Sequence, residues 1–284
     1  MQEMHNVPSG CVADRTWLRP KLPARVRRRL MKLSIAASAS SDVGRDLVHN
    51  VGRAIADFDL IRDGDRVMVA VSGGKDSYAL LLLLETMRRR APVKFSLVAV
   101  HLDQAQPGHD VEPLRAWLEA NGFDHRIVRE DTYSIVKQTV PEGRIPCSMC
   151  ARLRRAILYR LADEFGCTKI ALGHHREDAL ETLLLNLFFA GKLASMPAFL
   201  TSDDGAHVVI RPLIYCAESD LAEFAAQHKV PILPCNLCGS LPNTQRKQMK
   251  ALLERMESEH PRLRQTMLAA VGNVHLDHLL VKKS

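Results

Sequence analysis

The chain has 284 residues, 46% of them hydrophobic and 25% charged, with a formal net charge of +7. That composition supports one large or two modest packed domains. It excludes collagen-like and wholly disordered chains, and the longest apolar runs, such as residues 79–84, fall far short of the roughly 20 residues a membrane span needs.

Residues 1–39 hold eight basic and two acidic side chains, a surplus of +6. The rest of the chain is therefore nearly neutral. The run Arg25-Val26-Arg27-Arg28-Arg29 reads either as an arm gripping a polyanion such as RNA or as a solvated, poorly ordered tail. Residues 34–41 have a linker composition, and Met31 is an alternative start. Val43, Leu47, Val51, Ile55 and Phe58 recur at helical spacing and predict a helix over 42–58. Residues 67–71 are almost wholly apolar, the pattern of a strand buried on both faces. That strand runs through Ser72-Gly73-Gly74-Lys75-Asp76-Ser77 into an apolar helix expected over 78–90, whose closing Arg88-Arg89-Arg90 suits the negative end of the helix dipole. Further strands are expected over 95–102, 125–128 and 168–172, and helices over 114–121, 147–165 and 176–189. Residues 207–214 read as extended, and helices over 219–228, 243–258 and 261–271 form a smaller C-terminal part. Strands alternating with helices imply an α/β fold: an open parallel sheet with helices on both faces.

The strand–turn–helix element at 67–90 carries the strongest signal. It places the turn at the carboxyl edge of the sheet, where α/β folds bind ligands. Gly73 and Gly74 let the backbone approach an anion, and the following helix aims free N–H groups and its positive dipole end at that anion. Ser72 and Ser77 can add hydroxyl donors and Lys75 a point charge, while Asp76 fits if it orders the turn or meets magnesium riding on phosphates. The spacing is that of neither a Walker A loop nor Gly-x-Gly-x-x-Gly.

Seven cysteines, an odd number in a chain of this length, argue against a disulfide framework. The opening residues Met1-Gln2-Glu3-Met4-His5-Asn6 show no basic n-region followed by an apolar h-region. A cytoplasmic protein with no membrane contact and with metal or sulfur chemistry is expected. Cys147-Ser-Met-Cys150 and Cys235-Asn-Leu-Cys238 are two Cys-x-x-Cys pairs, which by spacing suit a four-cysteine zinc site or a redox dithiol. Cys11, Cys167 and Cys216 are scattered, and Cys167 reads as a small core residue.

The Ser72-to-Ser77 motif resembles the PP-loop of the ATP pyrophosphatase superfamily, whose members split ATP between the α and β phosphates and adenylate an oxygen of their substrate. The resemblance implies that Ser72, Gly73, Gly74, Lys75, Asp76 and Ser77 cradle the pyrophosphate, with Lys75 and Asp76 catalytic. It also implies that Val100, His101 and residues 171–173, with Gly173, flank the adenosine. Gly173-His174-His175-Arg176-Glu177-Asp178 resembles a motif of RNA-modifying members, which would put Asp178 near magnesium and the phosphates. Cys147-Ser-Met-Cys150-Ala-Arg-Leu-Arg-Arg and Pro234-Cys235-Asn-Leu-Cys238-Gly-Ser-Leu-Pro-Asn-Thr-Gln-Arg246 are similar to the TtcA family of tRNA 2-thiocytidine synthetases, over roughly residues 40–275. That resemblance implies an enzyme that thiolates cytidine 32 of tRNA with ATP. It implies a [4Fe–4S] cluster on Cys147, Cys150 and Cys238, one iron free of protein, with Cys235 as packing residue or fallback ligand. A cysteine desulfurase-type sulfur donor and a homodimer are expected with it. Arg152, Arg154 and Arg155, after Cys150 on one helix, are candidates for RNA phosphates or a solvated face.

The expected division is a basic extension over 1–39, a PP-loop ATP-binding domain over 40–217 with the first cysteine pair, and a helical region over 218–284 with the second. Two rivals share the ATP turn: a PP-loop enzyme making lysidine or thiouridine beside a structural zinc site, and a non-catalytic ATP-binding module. The lysidine enzyme has no need of the three cysteines, and the module needs neither feature in combination with the other.

Overall fold

The computed structural model describes residues 41–139, 147–234 and 244–280, with backbone alone at Cys147 and Ser148. The basic run at 25–29 and the second cysteine pair lie outside these residues.

The described chain runs α1 (Asp42–Asp57), β1 (Arg66–Ala70), α2 (Lys75–Arg90), β2 (Ser96–Asp103), α3 (Glu112–Ala120), β3 (His125–Arg129), α4 (Thr132–Thr139), α5 (Cys147–Glu164), β4 (Lys169–Ala171), α6 (Arg176–Phe189), β5 (Phe199–Thr201), β6 (Val208–Ile210), α7 (Glu218–Gln227), α8 (Gln245–Glu259) and α9 (Leu263–Gly272). The strands form one sheet in the order β3-β2-β1-β4-β6-β5. All neighbours are parallel except β5, which pairs antiparallel with β6 through Phe199↔Ile210.

Alternation along the strands divides the apolar side chains between the two faces. Val67 and Val69 of β1 join the core beneath α1, α2 and α7, with Leu47, Leu80, Leu83 and Phe224. Met68, with Val98, Val100, Ile170 and Val209, packs instead on Ile157, Leu158 and Leu161 of α5. A third cluster joins Leu180 and Leu184 of α6 to Met249 and Leu253 of α8, fixing the C-terminal helices to the sheet domain.

Three features depart from the sequence expectations. The helix after the phosphate turn begins at Lys75, three residues before the expected start, because Gly74 is its N-cap. The sequence reading has no helix at α4, whose Thr, Tyr, Ile and Val are poor helix formers; Asp131 Oδ1 accepts the Ser134 N–H at 2.9 Å and starts it. β5 is also unanticipated, being three exposed residues on the sheet edge. Arg88 and Arg89 do more than complement a dipole: Arg88 makes two 2.7 Å bonds and Arg89 one of 2.9 Å to Glu85, whose residue is 1% exposed. Among the described residues, no helix is long and apolar enough to cross a membrane.

Candidate functional site

Connections from β1 lead to β2 on one side, and β4 lies on the other. The end of β1 is thus a topological switch point, where an open α/β sheet leaves a crevice. The chain crosses that crevice with Gly73 at φ +85°, a conformation side chains resist. The Ser72 N–H donates to Ser77 Oγ at 3.1 Å, the Gly74 N–H to Ser72 Oγ at 3.4 Å, and the Ser77 hydroxyl to the Gly74 carbonyl at 2.8 Å. Ser77 is 4% exposed, so its hydroxyl braces the turn from within rather than facing solvent. The first N–H groups of α2 then point out of the helix end, the arrangement that attracts phosphate.

Two neighbouring segments close on this turn. A Cβ on Gly173, just beyond β4, would lie 3.2 Å from the Ser77 nitrogen and the Asp76 carbonyl carbon, so a side chain there would push the β4 end and the turn a few tenths of an ångström apart. On the other side the Leu233 N–H donates to the Gly73 carbonyl at 2.9 Å, and a Cβ on Gly73 would meet the Leu233 side chain at 2.9 Å. Cys235 follows Leu233 by two residues in the chain.

Charge is arranged around Lys75. Its Nζ donates to both Asp76 oxygens at 3.0 Å and to Glu218 Oε1 at 3.2 Å. Burial weighs against its charge, but the two carboxylates outweigh it and hold the pKa above the ordinary lysine value. Glu218, at the start of α7, also accepts from Lys250 of α8 at 2.7 Å. Its backbone N–H donates to Glu177 Oε2 at 2.9 Å. Glu177 is 2% exposed and also receives Arg176 at 2.6 Å and Arg264 of α9 at 3.4 Å. Burial opposes its ionisation, yet His175 and Arg176 hold the carboxyl down at about 2. Asp178 accepts the His175 backbone N–H at 3.0 Å and Arg246 of α8 at 2.9 Å.

The expected residues fall as follows. Ser72 to Ser77, Gly173 and Asp178 belong to this one edge. His101 is 2% exposed; its Nδ1 lies 2.7 Å from the Val71 carbonyl, bracing the strand that leads into the turn. Cys147 opens α5, and the Cys150 thiol, 9% exposed, lies 3.3 Å from Gln104 Oε1 just past β2, on the same carboxyl edge. Cys235 and Cys238 lie outside the described residues. Arg152, Arg154 and Arg155 are exposed on α5. Cys216 is fully buried and its thiol is pushed up to about 12 by burial, which makes it a core residue; burial raises Cys167 as well. Glu218, Arg246 and Lys250, which bound the site from the C-terminal region, carry no local sequence signal except that Arg246 closes the second cysteine motif.

A PP-loop domain family model matches residues 46–233. In structure, the chain resembles the U34-tRNA thiolase NcsA from Methanococcus maripaludis with its [4Fe-4S] cluster: TM-score 0.61, 21% identity, 89% of this chain and 80% of that one. In sequence, it is 58% identical over 235 residues to the tRNA-cytidine(32) 2-sulfurtransferase of Sorangium cellulosum, covering 83% of each chain. It is 57% identical to that of Aromatoleum aromaticum and 55% to that of Yersinia pestis, covering 83% and 82% of this chain and 74% of each relative. The chain belongs to the tRNA-cytidine(32) 2-sulfurtransferase family of PP-loop enzymes.

Proposed function

We infer that the chain is an ATP-dependent tRNA sulfurtransferase that converts cytidine 32 to 2-thiocytidine. The observation that carries this is the meeting of two chemistries on one sheet edge: the phosphate turn after β1, and Cys150 against the end of β2. The Leu233–Gly73 hydrogen bond supports it further, because it ties the segment entering the second cysteine pair to the turn.

The chemical problem is a poor leaving group. Oxide does not depart from an amide-like carbon, but attack of cytosine O2 on the α-phosphate of ATP releases pyrophosphate and makes that oxygen part of AMP. Sulfur then adds at C2 and AMP leaves. In this proposal the N–H groups at the start of α2 and the Lys75 ammonium stabilise the charge growing on the departing pyrophosphate. Lys75 exchanges Asp76 and Glu218 for phosphate oxygens when ATP enters. Asp76 and Asp178 are the carboxylates placed to hold magnesium, which supplies charge neutralisation on the phosphates. His101 and Gly173 border the adenosine.

Cys147 and Cys150, one helical turn apart at the start of α5, with Cys238, form a soft thiolate set suited to three irons of a [4Fe–4S] cluster. When bound, such a cluster supplies an iron with an open position for sulfur. Arg152, Arg154 and Arg155 then face the RNA, and Cys235 is the fallback ligand. The ATP-binding unit spans 40–217 and the helical unit 218–284, with the basic 1–39 preceding them. The Lys75–Glu218 and Arg246–Asp178 ion pairs support both units serving one site. A cytoplasmic homodimer fed by a cysteine desulfurase-type donor completes the proposal.

Lys75→Ala and Asp76→Ala test it. Each should lower ATP-dependent formation of 2-thiocytidine about 100-fold or more, as expected for loss of a preorganised transition-state donor. Full activity in either would overturn the reading. Protein prepared without air should absorb in the visible and lose that absorption in Cys238→Ala while largely keeping it in Cys235→Ala. One tight zinc and no iron would overturn the cluster.

A further inference from the structure

Arg211 directly follows β6 and is 8% exposed. Its Nη1 donates to the Pro197 carbonyl at 2.6 Å, and its Nε is enclosed with no acceptor among the described residues. Among the described residues no carboxylate comes within ion-pair distance of it; Asp178, an acid whose charge reaches it, is bound by Arg246 at 2.9 Å. A buried guanidinium without a counter-charge is costly. Burial and the neighbouring Arg155 charge both press its pKa below the ordinary value.

Two elements close on it, one bringing a histidine and the other arginines. The Leu172 N–H donates to the Ile210 carbonyl at 3.0 Å, so the ends of β4 and β6 run together to His174 and Arg211. His174 Nδ1 is also enclosed without a partner among the described residues. Burial pushes His174 down to about 4, with Asp178 opposing and Arg211, Arg246 and Arg154 adding. From the opposite side, Tyr159 of α5 stacks on His207 with ring centroids 4.4 Å apart, and Asp163 lies 3.1 Å from His207 Nε2. The 155–159–163 face of α5 therefore runs along β6. Arg155 sits one turn nearer the carboxyl edge than Tyr159, above the strand end that carries Arg211.

Of the site's acids, Asp76, Glu177 and Glu218 are tied to Lys75, Arg176 and Lys250, and Asp178, the one whose charge reaches Arg211, is held by Arg246. Among the described residues, Arg211 and Arg155 have no carboxylate within ion-pair distance and lie beyond β4. We propose that Arg211, with Arg155 and His174, forms a subsite for a phosphodiester of the RNA substrate, separate from the phosphate turn. It rests on the tRNA reading above. β6 stands two places from β1, about 10 Å away at ordinary strand spacing, and β1 already leads to an anion cradle of its own. The exposed Arg154 and Arg155 lead from solvent to this pocket, the approach a polyanion takes. Neutral His174 donates a hydrogen bond where the arginines supply charge.

Arg211→Gln and Arg155→Gln decide the matter, read by tRNA affinity over a range of KCl concentrations and by ATP affinity without tRNA. Each variant should bind tRNA about tenfold more weakly or worse, the loss expected for one charge-assisted contact. Each should also show a log–log salt slope shallower by about 0.7–0.9, with ATP affinity unchanged. Unchanged tRNA affinity and slope would overturn the subsite. So would lost ATP affinity with intact tRNA binding, which would assign the anion to the nucleotide. If Arg211→Gln fails to fold, Arg155→Gln on the exposed helix face carries the test alone, and an unchanged slope there overturns the subsite. Wild-type chain that binds tRNA with the normal slope but makes no 2-thiocytidine would overturn the functional reading and leave the subsite standing.

Discussion

Gly73 combines two constraints that a single methyl group would violate. Its φ of +85° excludes most side chains, and the space where a Cβ would go is filled by Leu233. Gly73→Ala should therefore destabilise the protein by about 1–3 kcal/mol, the usual cost of holding a non-glycine residue in such a conformation. It should also weaken ATP binding, because the turn must shift to relieve the contact. Thermal unfolding with and without ATP measures both, and a variant with wild-type values for each would contradict the close approach. This glycine was legible in the sequence, since a paired glycine between a buried strand and an apolar helix has a local reason to exist. Arg211 and Glu218 were not. One sits in an Ile-Arg-Pro-Leu stretch and the other at an ordinary acidic helix start, and only the tertiary fold shows that their partners are missing or shared.

At the level of elements, α8 presents Arg246 and Lys250 four residues apart, on one face, to two carboxylates of the site. The same helix buries Met249 and Leu253 against α6, so the cations are held by a packed core. Lys250→Met should change global stability little, since half-exposed ion pairs contribute about 0–1 kcal/mol. It should weaken ATP binding several-fold, because Glu218 then competes undivided for Lys75 and the site loses a positive charge. ATP titration of the variant checks this, and unchanged affinity would remove α8 from the nucleotide site. The long periodic helices were readable from apolar spacing, and the parallel sheet from its buried apolar strands. α4 escaped because its β-branched residues disfavour a helix, and β5 because three exposed residues on a sheet edge are too short to show an alternating pattern.

Across the whole molecule, Glu177 joins α6, α7 and α9 through one buried carboxylate. Its folded pKa of about 2 lies below the ordinary 4.5. Its contribution to stability is therefore complete above about pH 4.5 and is lost as the pH falls toward 2. His174 acts earlier. Its pKa is depressed from 6.5 to about 4, so the folded state resists its protonation, and stability present above 6.5 declines toward pH 4. His174 thus lowers stability as the pH falls from 6.5 to 4, partly offset by His175, whose protonated form the fold favours, and the decline steepens below 4.5. His174→Gln should flatten the first part. Glu177→Gln should cost about 3–5 kcal/mol at neutral pH, as breaking a buried pair does. Denaturant midpoints measured from pH 7 to pH 3 would test both.

The hydrogen bond from the Leu233 N–H to the Gly73 carbonyl makes the phosphate turn and the approach to the second cysteine pair a single mechanical part. A change that reorients the Gly73 carbonyl would be felt at Leu233, two residues before Cys235 in the chain. Transplanting this loop into another scaffold, or lengthening it, would consequently disturb the Leu233 segment as well, and any redesign of one must carry the other with it.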